Sequence, residues 1–200
     1  MQWSDFGPHV HPYVIGCPEP VMIHHVRLAA IEFCKKTLCW TKRLDTLQCT
    51  GTADVEVDPG GDLQIVKIKY AFVGDRPFEA VTPQYGITAT QLQSQDEFVF
   101  TEDGKTIYIN PIQLTGTPVL VSASLAPART AKTLSNELDE YVEDIAHGAI
   151  ASIMRLPAQT FTSNDHPIHE TIFRERIKSI AAKVGIGMAS VKQRRRRSFI

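Results

Sequence analysis

The sequence predicts an α+β protein: a small α-helical bundle formed by both chain ends, with an inserted antiparallel β-sandwich or barrel domain. Three stretches of distinct apolar spacing carry that prediction. Between about residues 20 and 38, apolar side chains recur every three or four positions, the period of a buried helical stripe. From about 44 to 126 the period drops toward two, and β-branched and aromatic residues become common. Helical spacing returns near Leu134. The implied division is an N-terminal arm and first helix over 1–43, a β domain over 44–128, the continued helical domain over 129–184 and a basic tail over 185–200.

Pro18 and Pro20 bracket Glu19 at the start of the first helix. Proline is tolerated in a first turn, where its missing N–H has no partner to lose, and the carboxylate suits the positive end of the helix dipole. The stripe runs through Ile23, Val26, Ala30, Phe33 with Cys34, and Leu38, while Arg27, Lys35 and Lys36 lie off its centre. After Trp40 the residues from 44 to 58 alternate loosely, Pro59-Gly60-Gly61-Asp62 supplies a turn, and Leu63 to Val73 reads as the next strand. The two read as a hairpin. A second hairpin places Phe98-Val99-Phe100 and Ile107-Tyr108-Ile109 around Glu102-Asp103-Gly104-Lys105, where Asp-Gly meets the positive φ of a tight turn. Val119 to Leu125 completes a set of about five strands.

The next helix is predicted from Leu134 through Leu138, Tyr141, Ile145, Ala149, Ile153 and Leu156, with acidic residues at its start, Arg155 near its end and Pro157 as its stop. Pro167 opens the last helix, whose stripe is Ile168, Ile172, Ile177, Ile180 and Val184, and Gly185 and Gly187 end it. The remainder, MASVKQRRRRSFI, has too little apolar material to pack alone.

An apolar fraction of 43% over 200 residues is enough for a core without disulfide or metal staples. No run reaches the roughly 18 apolar residues of a membrane span. The N-terminus has Asp5 and two early histidines in place of a basic signal-peptide region, so the chain is expected to be intracellular when made. Cys17, Cys34, Cys39 and Cys49 include no C-x-x-C pair and read as free thiols. Five positions apart on one helix, Cys34 and Cys39 are expected to splay and to serve as small buried hydrophobes. The net charge of -1 conceals a polarity: from His166 onward nine basic residues face only Glu170 and Glu175, so the rest of the chain is acidic.

Candidate chemistry is sparse. His9-x-His11 and His166-x-x-His169-Glu170 bring imidazoles close in sequence, but neither has helical two-histidine spacing with a third ligand, and Pro167 places His166 before the helix. Adjacent His24 and His25 point in different directions. No Gly-x-Ser-x-Gly or P-loop occurs, and Gly185-Ile186-Gly187 lacks the third glycine of a dinucleotide fingerprint. No catalytic residue, cofactor or metal is expected. The sharpest local signal is Lys192 with Arg194, Arg195, Arg196 and Arg197, followed by Ser198-Phe199-Ile200. Four guanidiniums can pair with carboxylates or phosphates, and the apolar terminus suits a pocket on a protein partner. Docking onto a protein is the leading reading, nucleic-acid contact the second and a solvated tail the third. Glu137, Asp139, Glu140, Glu143 and Asp144 read as a solvated helix face.

Tyr13 to Pro20, YVIGCPEP, followed by His24-x-x-Arg27-x-Ala29-Ala30-Ile31-Glu32-Phe33-Cys34, resembles the opening of the head-to-tail adaptor proteins of tailed bacteriophages. Ser122 to Arg129, SASLAPAR, with the helix holding Tyr141, Ile145, Ala146, Gly148 and Ala149 and ending at Leu156-Pro157, resembles the same family's return into its helical domain. The resemblance implies a virion structural protein, found in the host cytoplasm during assembly and at the head-tail interface afterwards, with no membrane partner. It implies a twelvefold ring beneath the portal protein that extends the DNA channel, lets genomic DNA pass without sequence specificity and offers a platform to a tail or nozzle protein. The portal-docking segment maps onto Val184 to Ile200, with Lys192 and Arg194 to Arg197 as anchors, Phe199 and Ile200 as the apolar end and Gly185 and Gly187 as a hinge. In such a ring the five acidic residues from Glu137 to Asp144 could line the channel, where like charge keeps passing DNA from sticking. The rival classes are a nucleic-acid-binding module that uses the basic last helix and tail, and a metal-dependent hydrolase.

Overall fold

The computed structural model describes residues 1–56, 62–81, 97–157 and 161–191. In chain order they form a 3₁₀ turn (Trp3–Phe6), helices α1 (Gly7–Val10) and α2 (Glu19–Thr37), strands β1 (Thr41–Gln48), β2 (Asp54–Glu56), β3 (Leu63–Val73), β4 (Arg76–Ala80), β5 (Phe98–Phe100), β6 (Thr106–Asn110) and β7 (Pro118–Pro127), a further 3₁₀ turn (Asn136–Tyr141), and helices α3 (Val142–Met154) and α4 (His166–Val191). No helix among these residues is long and apolar enough to cross a membrane.

The strands make one curled, mixed sheet in the order β1-β7-β3-β4-β5-β6-β2, in which β4 and β5 run parallel. This corrects the expected architecture. Among the described residues there is no antiparallel sandwich or closed barrel set into a bundle of terminal helices; a half-barrel sheet and the helices share one continuous core, from Trp3 and Phe33 through Val121 and Val99 to Ile145 and Ile180. The reason lies in β7. Its residues from Val121 to Pro127 are all buried, and Ser122, Ala123, Ser124 and Ala126 are small enough to let α2 lie against the strand. Ser124 Oγ donates to the Leu38 carbonyl at 3.3 Å, joining the end of α2 to the sheet.

The same strand overturns the first expected hairpin. Leu44 of β1 and Ala71 of β3 both lie opposite Val121, so β7 takes one strand on each edge, and β2 pairs instead with β6. The turn predicted at Pro59-Gly60-Gly61 lies outside the described residues. Strand β4 was not expected, because Pro77 demotes its segment as a strand. Gly74 (φ 59°) turns the chain back so that Ala71 pairs with Phe78 and Phe72 with Pro77. The β5–β6 hairpin forms as the sequence predicts, with Gly104 at φ 74° and the Asp103 carboxylate accepting from the N–H groups of Lys105 and Thr106 at 2.7 Å each.

Among the helices, α2 matches its predicted span and buries Val26, Ala30, Phe33 and Cys34. The segment 1–14, expected to be an arm, is instead built into the core: Phe6, Val10 and Val14 are fully buried, and the Trp3 indole donates to the Ala131 carbonyl at 2.9 Å. On α4 the buried face is His169, Phe173, Ile177 and Ile180, whereas Ile168 is 60% exposed. Helix α4 begins at His166, so Pro167 sits inside its first turn, and it does not stop at Gly185 but runs on to Val191. Glycine costs a helix about 1 kcal/mol per position relative to alanine, so two of them do not by themselves end a helix of this length.

Candidate functional site

The acidic segment begins at a cap. Ser135 is extended, and its Oγ accepts from the Glu137 N–H at 3.3 Å, which starts the 3₁₀ turn that leads into α3. The five acidic residues then divide. Glu137 accepts from the Trp40 indole at 2.7 Å. Asp144 is half-buried against α4 and pairs with Arg176 at 3.3 Å, yet burial outweighs that cation and pushes its carboxyl above the ordinary range. Asp139, Glu140 and Glu143 remain exposed and, with Asp5 and His9, line a cleft of about 360 Å³ between the N-terminal turns and α3. Three of the five expected carboxylates, joined by Asp5, therefore give this face its charge.

A second cleft, of about 590 Å³, is bordered by Trp40, Lys42, Asp62, Lys132 and Glu137. Its acidic groups are already committed, Glu137 to Trp40 and Asp62 to the Lys132 backbone N–H at 2.9 Å.

The histidines fall apart as a metal set. Of the trio His166, His169 and Glu170, the first and last both contact Arg155, while His169 turns inward and its Nδ1 lies 2.8 Å from Nδ1 of His147. Among the described residues, no group of three or more His, Cys, Asp or Glu is placed to hold a metal ion. The His147–His169 pair, over which the Tyr13 ring stands edge-on at 4.9 Å, was not foreseen. The usable signal was the alternative helical stripe through His169 and Phe173, one position on from Ile168.

That pair makes folding sensitive to acid. One neutral ring must donate to the other, and burial lowers both pKa values, with Asp144 and Glu143 partly opposing at His147 and Asp165 at His169, and with Arg176 adding to the lowering at His147. A histidine whose folded pKa is depressed binds protons more readily when unfolded, so stability present above pH about 6.5 is lost as the pH falls below it. Asp144, whose raised carboxyl binds its proton more readily in the folded state, acts oppositely. His25, whose Nδ1 lies 2.8 Å from Ser152 Oγ, is shifted downward mainly by burial and adds to the effect. Thermal melts at pH about 7.5 and 5.5 are expected to separate, and the His147→Gln, His169→Gln double variant to narrow that separation; an unchanged pH response would remove the pair as the cause.

Lys192, Arg194 to Arg197, Phe199 and Ile200 lie outside the described residues. Gly185 and Gly187 lie within α4, and Gly185 faces open space, since a Cβ there would meet nothing within 4 Å. No protein-family model matches the chain, and no curated protein is significantly similar to it. The cysteines are free thiols, Cys17, Cys34 and Cys49 buried and Cys39 half-buried. One surface was missed by the sequence reading: on β3, Tyr70 and Phe72 are exposed and touch at 6.3 Å, and Lys69 beside them is tied to the Leu38 carbonyl at 3.5 Å.

Proposed function

We propose that this chain is a structural protein of the tailed-bacteriophage virion, a head-to-tail adaptor that forms a ring of twelve copies beneath the portal protein. In this reading it extends the channel for genomic DNA, presents a platform to a tail or nozzle protein and catalyses nothing. It works at the head-tail interface of the virion, after assembly in the host cytoplasm. The supporting sequence is the Tyr13–Cys34 entry with the Ser122–Arg129 return. The observation that carries it is the course of α4: Val184 still packs against the core, Gly185 is open, and the helix continues to Val191, just before the arginine run. At 1.5 Å per residue, the seven residues after Val184 add about 10 Å of helix. A helix that leads into a charged and apolar sequence suits insertion into a neighbour. Exposed Asp139, Glu140 and Glu143 are the residues proposed to face the channel.

The rival reading, a nucleic-acid grip by α4 and the tail, is weakened by two ion pairs. Arg174 is held by Glu170 and Arg176 by Asp144, so part of the helix's positive charge is already engaged.

Truncation after Gln193 is expected to leave the melting temperature unchanged and to abolish co-sedimentation with portal. Replacing Phe199 and Ile200 by Ala removes up to about 2 kcal/mol of burial per side chain and should weaken attachment at every salt concentration. Replacing the four arginines should mainly slow association and flatten its salt dependence. Normal attachment by the truncated protein would overturn the docking role. Steep salt-dependent binding of the intact chain to DNA, without portal binding, would favour the rival.

A further inference from the structure

The aromatic pair on β3 faces outward because the strand changes phase. Its pairing with β7 slips between Ile65 and Lys67 and again between Ile68 and Tyr70, each time by one extra residue on β3. Strict alternation onward from buried Ile68 would turn Tyr70 and Phe72 into the core. The extra residue, Lys69, reverses the phase, so Ala71 and Val73 are buried while Tyr70 and Phe72 are 48% and 40% exposed. Side chains of paired residues lie on one face. That face sets Arg43, Ser122 and Tyr70 in one row across β1, β7 and β3, and Leu120, Phe72 and Pro77 in the next across β7, β3 and β4.

The charge around the rings is one-sided. Strands β1, β7 and β3 carry Lys42, Arg43, Lys67 and Lys69 against Asp45 alone, a formal +3 in a chain whose net charge is -1. Arg43 and Lys67 are exposed. Lys69 is held beside Tyr70 by two neutral acceptors, the Leu38 carbonyl and the Thr41 hydroxyl, so its position is fixed while its charge stays uncancelled. Tyr70-Ala71-Phe72-Val73 also has the aromatic, small, aromatic, valine order by which RNA-binding sheets present two rings.

We propose that this face of the sheet is a stacking platform for single-stranded nucleic acid: Tyr70 and Phe72 take two unpaired bases, and Arg43, Lys67 and Lys69 hold the phosphates beside them. Every base has a π-face, so two exposed rings accept a strand without regard to its sequence, and flanking cations track its backbone. The charge selects this occupant. An apolar peptide would cover the rings but bury cations without a counter-charge, which is costly, whereas a single strand supplies bases and phosphates together. A duplex keeps its bases stacked on one another and cannot use the rings. The platform lies on the sheet, apart from α4 and the tail, and does not depend on the adaptor reading.

The test titrates the intact chain into fluorescent oligothymidylate of about 12 nucleotides, the matching oligouridylate and a DNA duplex of the same length, read by anisotropy. Binding to either single strand, more tightly than to the duplex, is the expected result. The Tyr70→Ala, Phe72→Ala variant should lose at least about tenfold in single-strand affinity, while its duplex binding, which the arginine run can supply, stays within about twofold. The duplex arm thus separates the platform from phosphate binding by the tail. If that variant melts lower, Tyr70→Leu with Phe72→Leu, which keeps the apolar cover and removes the π-faces, replaces it. Ultraviolet cross-linking of the wild-type chain to an iodouridine oligonucleotide should mark Tyr70 or Phe72, located by fragment masses. Equal affinity for duplex and single strands, an equal loss of both in the variant, or cross-links that miss both rings would overturn the proposal. So would unchanged single-strand affinity beside altered sedimentation of the variant, which would make the face a contact between protein chains.

Discussion

Replacing Phe33 by Ala is expected to lower stability by about 3–5 kcal/mol, a fall in melting temperature of roughly 10 °C for a chain of this size. Phe33 is fully buried at the point where three helical elements meet. Its ring lies 5.2 Å from Tyr141, at the start of α3, and 6.3 Å from Phe173 on α4. Truncation there removes the transfer energy of a benzyl group and leaves a cavity that none of the three elements can fill alone, since α2 is also fixed to β7. Urea unfolding measures the loss. Ile15→Ala is the control, because that side chain is 79% exposed and its removal should change stability by less than about 0.5 kcal/mol. A loss at Phe33 no larger than the control's would mean that the helices do not close over this ring.

What could be read from the sequence was whatever local chemistry dictates. Pro18 and Pro20 fixed where α2 begins, Asp103-Gly104 fixed the β5–β6 turn, and the β-branched run from Leu63 to Val73 matched β3 end to end. What stayed hidden was set by partners distant in sequence. Nothing local says that β7 sits between β1 and β3, because the small residues of its SASLAPA segment are a weak strand signal until α2 is laid on them. A one-residue rotation of α4, with His169 and Phe173 inward and Ile168 outward, escaped because isoleucine is the more hydrophobic guess; burial of His169 depends on a partner, His147, from another helix. The left-handed end of α2 was hidden as well. Leucine is an uncommon residue at positive φ, yet Leu38 adopts it to close the helix on the Cys34 carbonyl.

Alanine at Gly148 is expected to destabilise the fold by about 1–3 kcal/mol, although the same change in an open helix interior gains about 1 kcal/mol. Gly148 is buried in α3 where α4 crosses it, and a Cβ there would sit 2.8 Å from Cε2 and Cζ of Phe173 and 3.0 Å from Cδ2. Contacts that short cannot persist, so either the ring swings or the helices part. The ring has little room to swing: Phe173 is 5% exposed, and Phe33 lies against it. The helices must therefore separate, and the neighbouring His147–His169 hydrogen bond should stretch with them. Two readouts follow. In a double-mutant cycle, Phe173→Leu should absorb most of the Gly148→Ala penalty, giving a coupling of at least about 1 kcal/mol between sites in contact. The acid sensitivity of the melt should also shrink in Gly148→Ala alone, because a weakened histidine pair resists protonation less. A raised melting temperature in Gly148→Ala, or strict additivity with Phe173→Leu, would show that α3 and α4 approach less closely at this glycine than its missing Cβ implies.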